Sequence, residues 1–99
     1  MSEKTVLIVN AVVNPHEKEA LAHYQKQAGA LLGQAGARPL GKFKIADQIA
    51  GSTPLHMTVV MEFGSSEHIK AVFESEAYKA LLPYRDKAFQ AINIYIGAQ

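Results

Sequence analysis

Four side chains in this 99-residue sequence have chemistry to offer at places that packing alone does not explain: Asn10, His56, Tyr78 and Arg85. Arg85 closes the run SEAYKALLPYR, where an apolar helical stripe should continue. Its planar, five-donor guanidinium suits a carboxylate, a phosphate or a phenolate. An ion pair with Glu74, Glu76 or Asp86, or capping of backbone carbonyls, would explain it equally, and both readings stand. Asn10 interrupts VLIVNAVV. Asparagine is disfavoured inside a strand, and a buried amide left unpaired costs about 1 to 3 kcal/mol, so a ligand, a water or a cross-strand neighbour should face it. Tyr78 and Tyr95 carry phenols that can hydrogen-bond an aromatic ligand, yet such amphipathic rings also seal core edges and interfaces, which is the reading for Tyr95. His56 sits beside a turn, where a histidine is exposed and can exchange a proton near neutral pH. It shares a strand parity with Thr58 and Glu62, but the six residues to Glu62 span about 20 Å, so the two make no catalytic pair.

Other chemistries find no support. His16 and His23 lie seven apart, two helical turns, which is too far to chelate one ion, and HExxH is absent. With no cysteine there is no thiolate nucleophile, disulfide or Cys-based zinc site, and a reducing cytoplasm is the expected compartment. No GxSxG elbow or glycine-rich phosphate loop occurs. Neither a metal nor a resident cofactor is expected. A formal charge of +1 with scattered Lys and Arg argues against nucleic acid. The apolar run from Val6 is too short for a membrane span. Hydrophobic content of 48% over this length fits one domain, residues 1–99.

The elements that must position these residues follow from periodicity. Val6 to Val13 is β-branched and apolar on both parities, a strand covered on both faces. Asn14 and Pro15 then predict a helix starting near Pro15, with Asn14 as its N-cap. Its stripe is Leu21, Tyr24, Ala28, Leu31, Leu32 and Ala35, and Gly36 is suited to terminate it. Phe43 and Ile45 alternate with Lys42 and Lys44 in an edge strand near Leu40 to Ala46, where Pro39 is tolerable. Leu55 to Phe63 alternates as a third strand. Ser65 caps a helix with Ile69, Val72 and Phe73 on one face, Ser75 caps its continuation through Tyr78, Leu81 and Leu82, and Pro83 kinks or restarts it. Ile92, Ile94 and Ile96 mark a last strand.

The order β-α-β-β-α-β predicts an α+β, ferredoxin-like domain: an antiparallel sheet with helices on one face. Val6, Ile8, Val12 and Val60 would then occupy one sheet face, and Leu7, Val9, Met57, Val59 and Met61 the other. Helices on one side cannot bury both sets. Two protomers packed sheet to sheet would, so a homodimer is expected.

The run FGSSEHIKAVFESEAYKALLPYR resembles the signature of the domain-of-unknown-function family DUF1330, in the dimeric α/β-barrel superfamily. The matching positions extend from Phe63 and Ser65 through Phe73, Ser75 and Tyr78 to Pro83 and Arg85. The chain departs from the pattern at Val72, where an aromatic residue is usual, at Gly36-Ala37 in place of Gly-Gly, and in the long loop IADQIAGSTP. The resemblance implies a dimer whose sheets enclose a cavity. Superfamily relatives include cofactor-independent monooxygenases, haem-degrading enzymes, muconolactone isomerases and stress-responsive domains, among which fold does not choose. Asn10 matches a cavity-facing asparagine of the haem-degrading relatives, but Leu82 stands where they carry the iron-binding histidine, and His68 is too distant along the helix to substitute. Haem binding is therefore not expected. The expected function is a homodimer that binds a small aromatic or carboxylate metabolite, acting as a cofactor-independent oxygenase or isomerase, or alternatively as a non-catalytic ligand-binding or stress-response module.

Overall fold

The computed structural model describes residues 5–98. Strand β1 (Thr5–Val13) lies inside the sheet, as its β-branched, doubly apolar sequence requires. Helix α1 (Lys18–Gln34) begins three residues later than the Asn-Pro pair predicts. Asn14 does not cap it. Its side-chain oxygen instead accepts the His16 N–H at 3.0 Å and its carbonyl accepts from Glu17 N–H at 3.2 Å, a self-contained turn that satisfies the asparagine before the helix starts. Ala20, Tyr24, Ala28 and Leu32 form the buried stripe of α1. Gly36, at φ 93°, supplies the left-handed residue just beyond the end of the helix.

Strand β2 (Arg38–Lys44) starts and ends two residues before the expected Leu40 to Ala46 because Pro39 is accommodated inside it, and β3 (Met57–Phe63) starts two residues after the expected Leu55 and ends at Phe63 as expected. Strand β2 is at the sheet edge, where a missing ladder donor is tolerated. The C-terminal half contains three helical segments: α2 (Ser66–Glu74), α3 (Glu76–Lys79) and α4 (Leu82–Ala88). Each predicted serine cap is realised, Ser65 accepting from His68 N–H at 3.3 Å and Ser75 from Tyr78 N–H at 3.1 Å. The Ser75 hydroxyl also donates to the Val72 carbonyl, so one side chain ends α2 and begins α3. Pro83 sits in the first turn of α4, where its absent N–H has no helical partner to lose. Strand β4 (Phe89–Ala98) closes the chain.

The four strands are ordered β2-β3-β1-β4 and every neighbouring pair is antiparallel. All helices cover one face. On that face Leu7 and Ala11 of β1 are completely buried, and two apolar clusters form, one around Tyr24, Tyr78, Ala88 and Phe89, the other around Leu7, Leu32, Phe63 and Ile69. The pairing Leu7 with Met61 and Ile8 with Val60 reproduces the expected division of β1 and β3 between faces. Strand β2 departs from simple alternation. A bulge between Pro39 and Gly41 leaves Leu40 unpaired and shifts the register, so Lys42 and Lys44 oppose Val59 and Met57 on the helix side, whereas Phe43 opposes Thr58 on the open side.

Candidate functional site

The helix layer and the sheet do not close completely on one another. Between α1 and the strands lies an apolar recess of about 260 Å³, lined by Val9 and Ala11 of β1, Tyr24, Ala28 and Gly29 of α1, and the rings of Phe73 and Phe89 among others. It shares Gln25, Lys42 and Met57 with a wider outer cleft of about 810 Å³ whose further walls include Leu21, Phe43, Lys44 and His56. The two adjoin at these shared residues, apolar inside and carrying polar side chains at the mouth. Gly29 contributes to the room: a Cβ placed there would meet nothing within 4 Å.

Behind the inner wall runs a line of polar contacts. The hydroxyls of Tyr24 and Tyr78 lie 2.7 Å apart, and Arg85 donates from Nη1 to the Tyr78 oxygen at 3.3 Å. Tyr78 is 2% exposed and sits edge-on to both Tyr24 and Phe73, with ring centroids 6.2 and 4.7 Å away. A phenol placed so deep must have a partner, and packing of the helices supplies two: Tyr24 from α1 and Arg85 from α4. Burial, reinforced by the hydrogen bond to Tyr78, raises the Tyr24 phenol well above its ordinary value of 10.0, and the nearby Arg85 charge opposes this without prevailing. Tyr24 therefore stays protonated and does not act as a base. Burial works to lower the Arg85 pKa, but its bond to Tyr78 and attraction to neighbouring oxygens outweigh that and raise it, so the guanidinium stays charged. Its Nε is buried with no hydrogen bond, Asp86 standing 3.8 Å off as an ion-pair partner only.

The four residues singled out by sequence do not converge. Tyr78 and Arg85 meet each other directly. Asn10 lies on the opposite sheet face, where its side-chain oxygen accepts the Thr58 hydroxyl at 2.7 Å across the β1–β3 ladder. This is the cross-strand partner that a mid-strand amide demands. His56 precedes β3 at the rim of the outer cleft, and its Nδ1 accepts the Val13 N–H at 3.0 Å. The β1–β3 ladder ends at the Ala11–Met57 pair, so the imidazole satisfies an N–H that lies just beyond its end. Tyr24, Gln25 and Lys42 were missed as site residues. Tyr24 reads as one more apolar position in the α1 stripe, and only its hydroxyl hinted at more. Lys42 is legible only once the β2 bulge is known. Leu82 packs against the core cluster around Tyr24, while His68 lies on a separate surface depression with Leu31 and Val72. No group of three or more metal-ligating side chains occurs among the described residues, and none of their helices is long and apolar enough to cross a membrane.

One four-stranded antiparallel sheet with its helices on a single face, with a recess between the layers, is the ferredoxin-like architecture. Within that class, the chain belongs to the family described as a domain of unknown function (DUF1330), whose sequence profile matches residues 5–97. No curated protein matches it. Among solved structures it is similar to a protein of unknown function from Rhodopseudomonas palustris, with a TM-score of 0.82 at 12% identity over 98% of this chain and 82% of that one. It is also similar to a candidate antibiotic biosynthesis monooxygenase from Nitrosomonas europaea, with a TM-score of 0.70 at 15% identity over 100% and 92% of the two chains. A dimeric protein of unknown function and ferredoxin-like fold from Bacteroides fragilis superposes with a TM-score of 0.62 at 10% identity over 97% and 96%. At such identities the likeness concerns the fold.

Proposed function

We propose that this chain acts in the cytoplasm as a homodimer that binds a small, partly aromatic metabolite in the recess between α1 and the sheet. The observation that carries the reading is the recess itself, an apolar space of about 260 Å³ faced by Tyr24, Phe73 and Phe89. Recesses that are mostly apolar with a few polar groups at fixed positions are the usual form of small-molecule sites. In this proposal Tyr78 and Arg85 hold Tyr24 in place, His56 stands at the rim, and Asn10 faces the interior formed when two sheets meet.

Support for the dimer comes from the open sheet face. The Cα slab is only 16 Å thick, one sheet and one helix layer, and on its uncovered side Phe43 and Tyr95 are 57% and 51% exposed beside the half-buried Ile8 and Val60. A second copy packed face to face removes this surface from water. Sedimentation at micromolar concentration is expected to return about twice 10.8 kDa, and a stable monomer would overturn the barrel arrangement.

The finer reading is turnover, as a cofactor-independent oxygenase or an isomerase. Its rival is binding without turnover, and one observation favours the rival: the phenol at the recess is held protonated, whereas either reaction on a phenol or a lactone begins by removing a proton from the ligand. Screening the purified protein against phenols, quinols and lactones while recording oxygen uptake and product formation separates the two. Saturable binding without product supports the binding module, and product supports the enzyme. Absence of saturable binding by any of these ligands overturns both.

A further inference from the structure

The depression is chemically polarised along its length. Its inner part is lined by aliphatic and aromatic side chains, and its mouth carries Lys42, Lys44, Gln25 and His56 with no carboxylate among the lining residues. Lysines on an edge strand commonly serve to prevent edge-to-edge pairing. Here, however, the bulge at Leu40 turns both onto the helix side of the sheet, opposite Val59 and Met57, and Lys42 reaches the inner recess as well as the cleft. An unbulged ladder would set Phe43, not Lys44, opposite Met57 and Lys42 opposite Thr58 on the open side. Neither lysine has an ion-pair partner among the described residues. His56 adds a donor, because an imidazole that accepts at Nδ1 carries its proton on Nε2 when neutral.

We infer that the site is built for an amphipathic organic anion: an aromatic body seated in the inner recess and a carboxylate held at the mouth by Lys42 and Lys44. This rests on the small-molecule reading above and names the ligand class. By comparison with the ~150 Å³ apolar cavity that holds benzene, the recess takes a body of roughly ten non-hydrogen atoms, the size of a fused bicyclic ring. The head group follows from charge. Two unpaired ammonium groups over an apolar pocket attract a carboxylate, repel an ammonium and gain little from a hydroxyl.

Three probes of one shape test the inference on the full chain: naphthylacetate, naphthylethanol and naphthylethylamine, titrated by calorimetry with amide chemical shifts recorded in parallel. The expected result is that naphthylacetate binds at least about tenfold more tightly than naphthylethanol at low salt, that the advantage shrinks as salt is raised, and that the amine is weakest. The double variant Lys42→Gln, Lys44→Gln should bring the carboxylate down to the alcohol and leave the alcohol unchanged. Equal affinity for all three, preference for the amine, or a carboxylate preference that survives the double variant overturns the anionic assignment while leaving a binding recess in place. If none of the three shifts any amide around the recess, the small-molecule reading falls and this inference falls with it.

Discussion

The two faces of the sheet have been solved differently. On the helix side, Leu7, Ala11 and Phe63 are buried at 0%, 0% and 4% exposure, and the polar groups that enter that layer, the hydroxyls of Tyr24 and Tyr78, satisfy each other. On the open side, Val6, Ile8 and Val60 are only half-buried, and the polar pair Asn10–Thr58 is set in the middle of them. The first face is covered within one chain except at the recess, where Val9, Met57, Val59 and Met61 stay half-buried. The second has apolar surface worth burying and a prepaired hydrogen bond that can be buried without penalty, the composition of an interface more than of a solvated surface.

Introducing a charge on each side would test this contrast most severely. Val60→Asp places a carboxylate amid the open face, and if a partner covers that face the variant should lose several kcal/mol of dimer stability and sediment near 10.8 kDa. In a face that water already covers, the same change would leave mass and stability within about 0.5 kcal/mol of the parent. Next in size is Tyr78→Phe on the helix side, which deprives both Tyr24 and Arg85 of their partner at once. A loss of about 2 to 4 kcal/mol in denaturant unfolding is expected, without change in sedimentation, since two groups are left unsatisfied.

Tyr24→Phe should cost less, about 1 kcal/mol at neutral pH, because Tyr78 keeps Arg85. Its signature is in the pH dependence. The folded state holds the Tyr24 phenol above its ordinary value of 10.0, so folding favours the protonated form. That contribution is full below about pH 10 and is lost progressively as pH rises above it, because the unfolded chain ionises first. Urea midpoints followed from pH 9 to 12 should therefore fall more steeply for the parent than for Tyr24→Phe, and parallel curves would remove the buried phenol from the account. The smallest effect belongs to the α1 glycines. A Cβ at Gly29 or Gly33 meets nothing within 4 Å, so alanine at either position should stabilise the helix by about 1 kcal/mol. Only Gly29→Ala should also weaken ligand binding, since Gly29 lines the recess and Gly33 does not. A destabilising Gly33→Ala would indicate that another chain approaches that helix.

Much of the fold was legible because it rests on local and periodic information. The doubly apolar run of β1, the alternation of β3, the helical stripe of α1, the serine caps at Ser65 and Ser75 and the restart at Pro83 each depend on residues within a turn or two of one another, where side-chain spacing and backbone hydrogen bonding leave few choices. The oddity of Arg85 was visible too, together with the donor chemistry that makes it useful. Its partner was not. The bond to Tyr78 spans seven residues across the break between α3 and α4, and the tie from Tyr78 to Tyr24 spans 54. Nothing in a local window measures such separations. The same holds for Asn10, whose need for a partner follows from its position in a strand but whose choice of Thr58 follows from β1–β3 register. Most decisive is one unpaired residue, Leu40. Alternation in the sequence tells that Phe43 and Lys42 face opposite ways, but with a period of two only the register of the ladder says which way. Tertiary pairing settled that question, setting the lysines opposite Val59 and Met57 on the helix side and Phe43 opposite Thr58, with Phe43 still at the edge of the cleft.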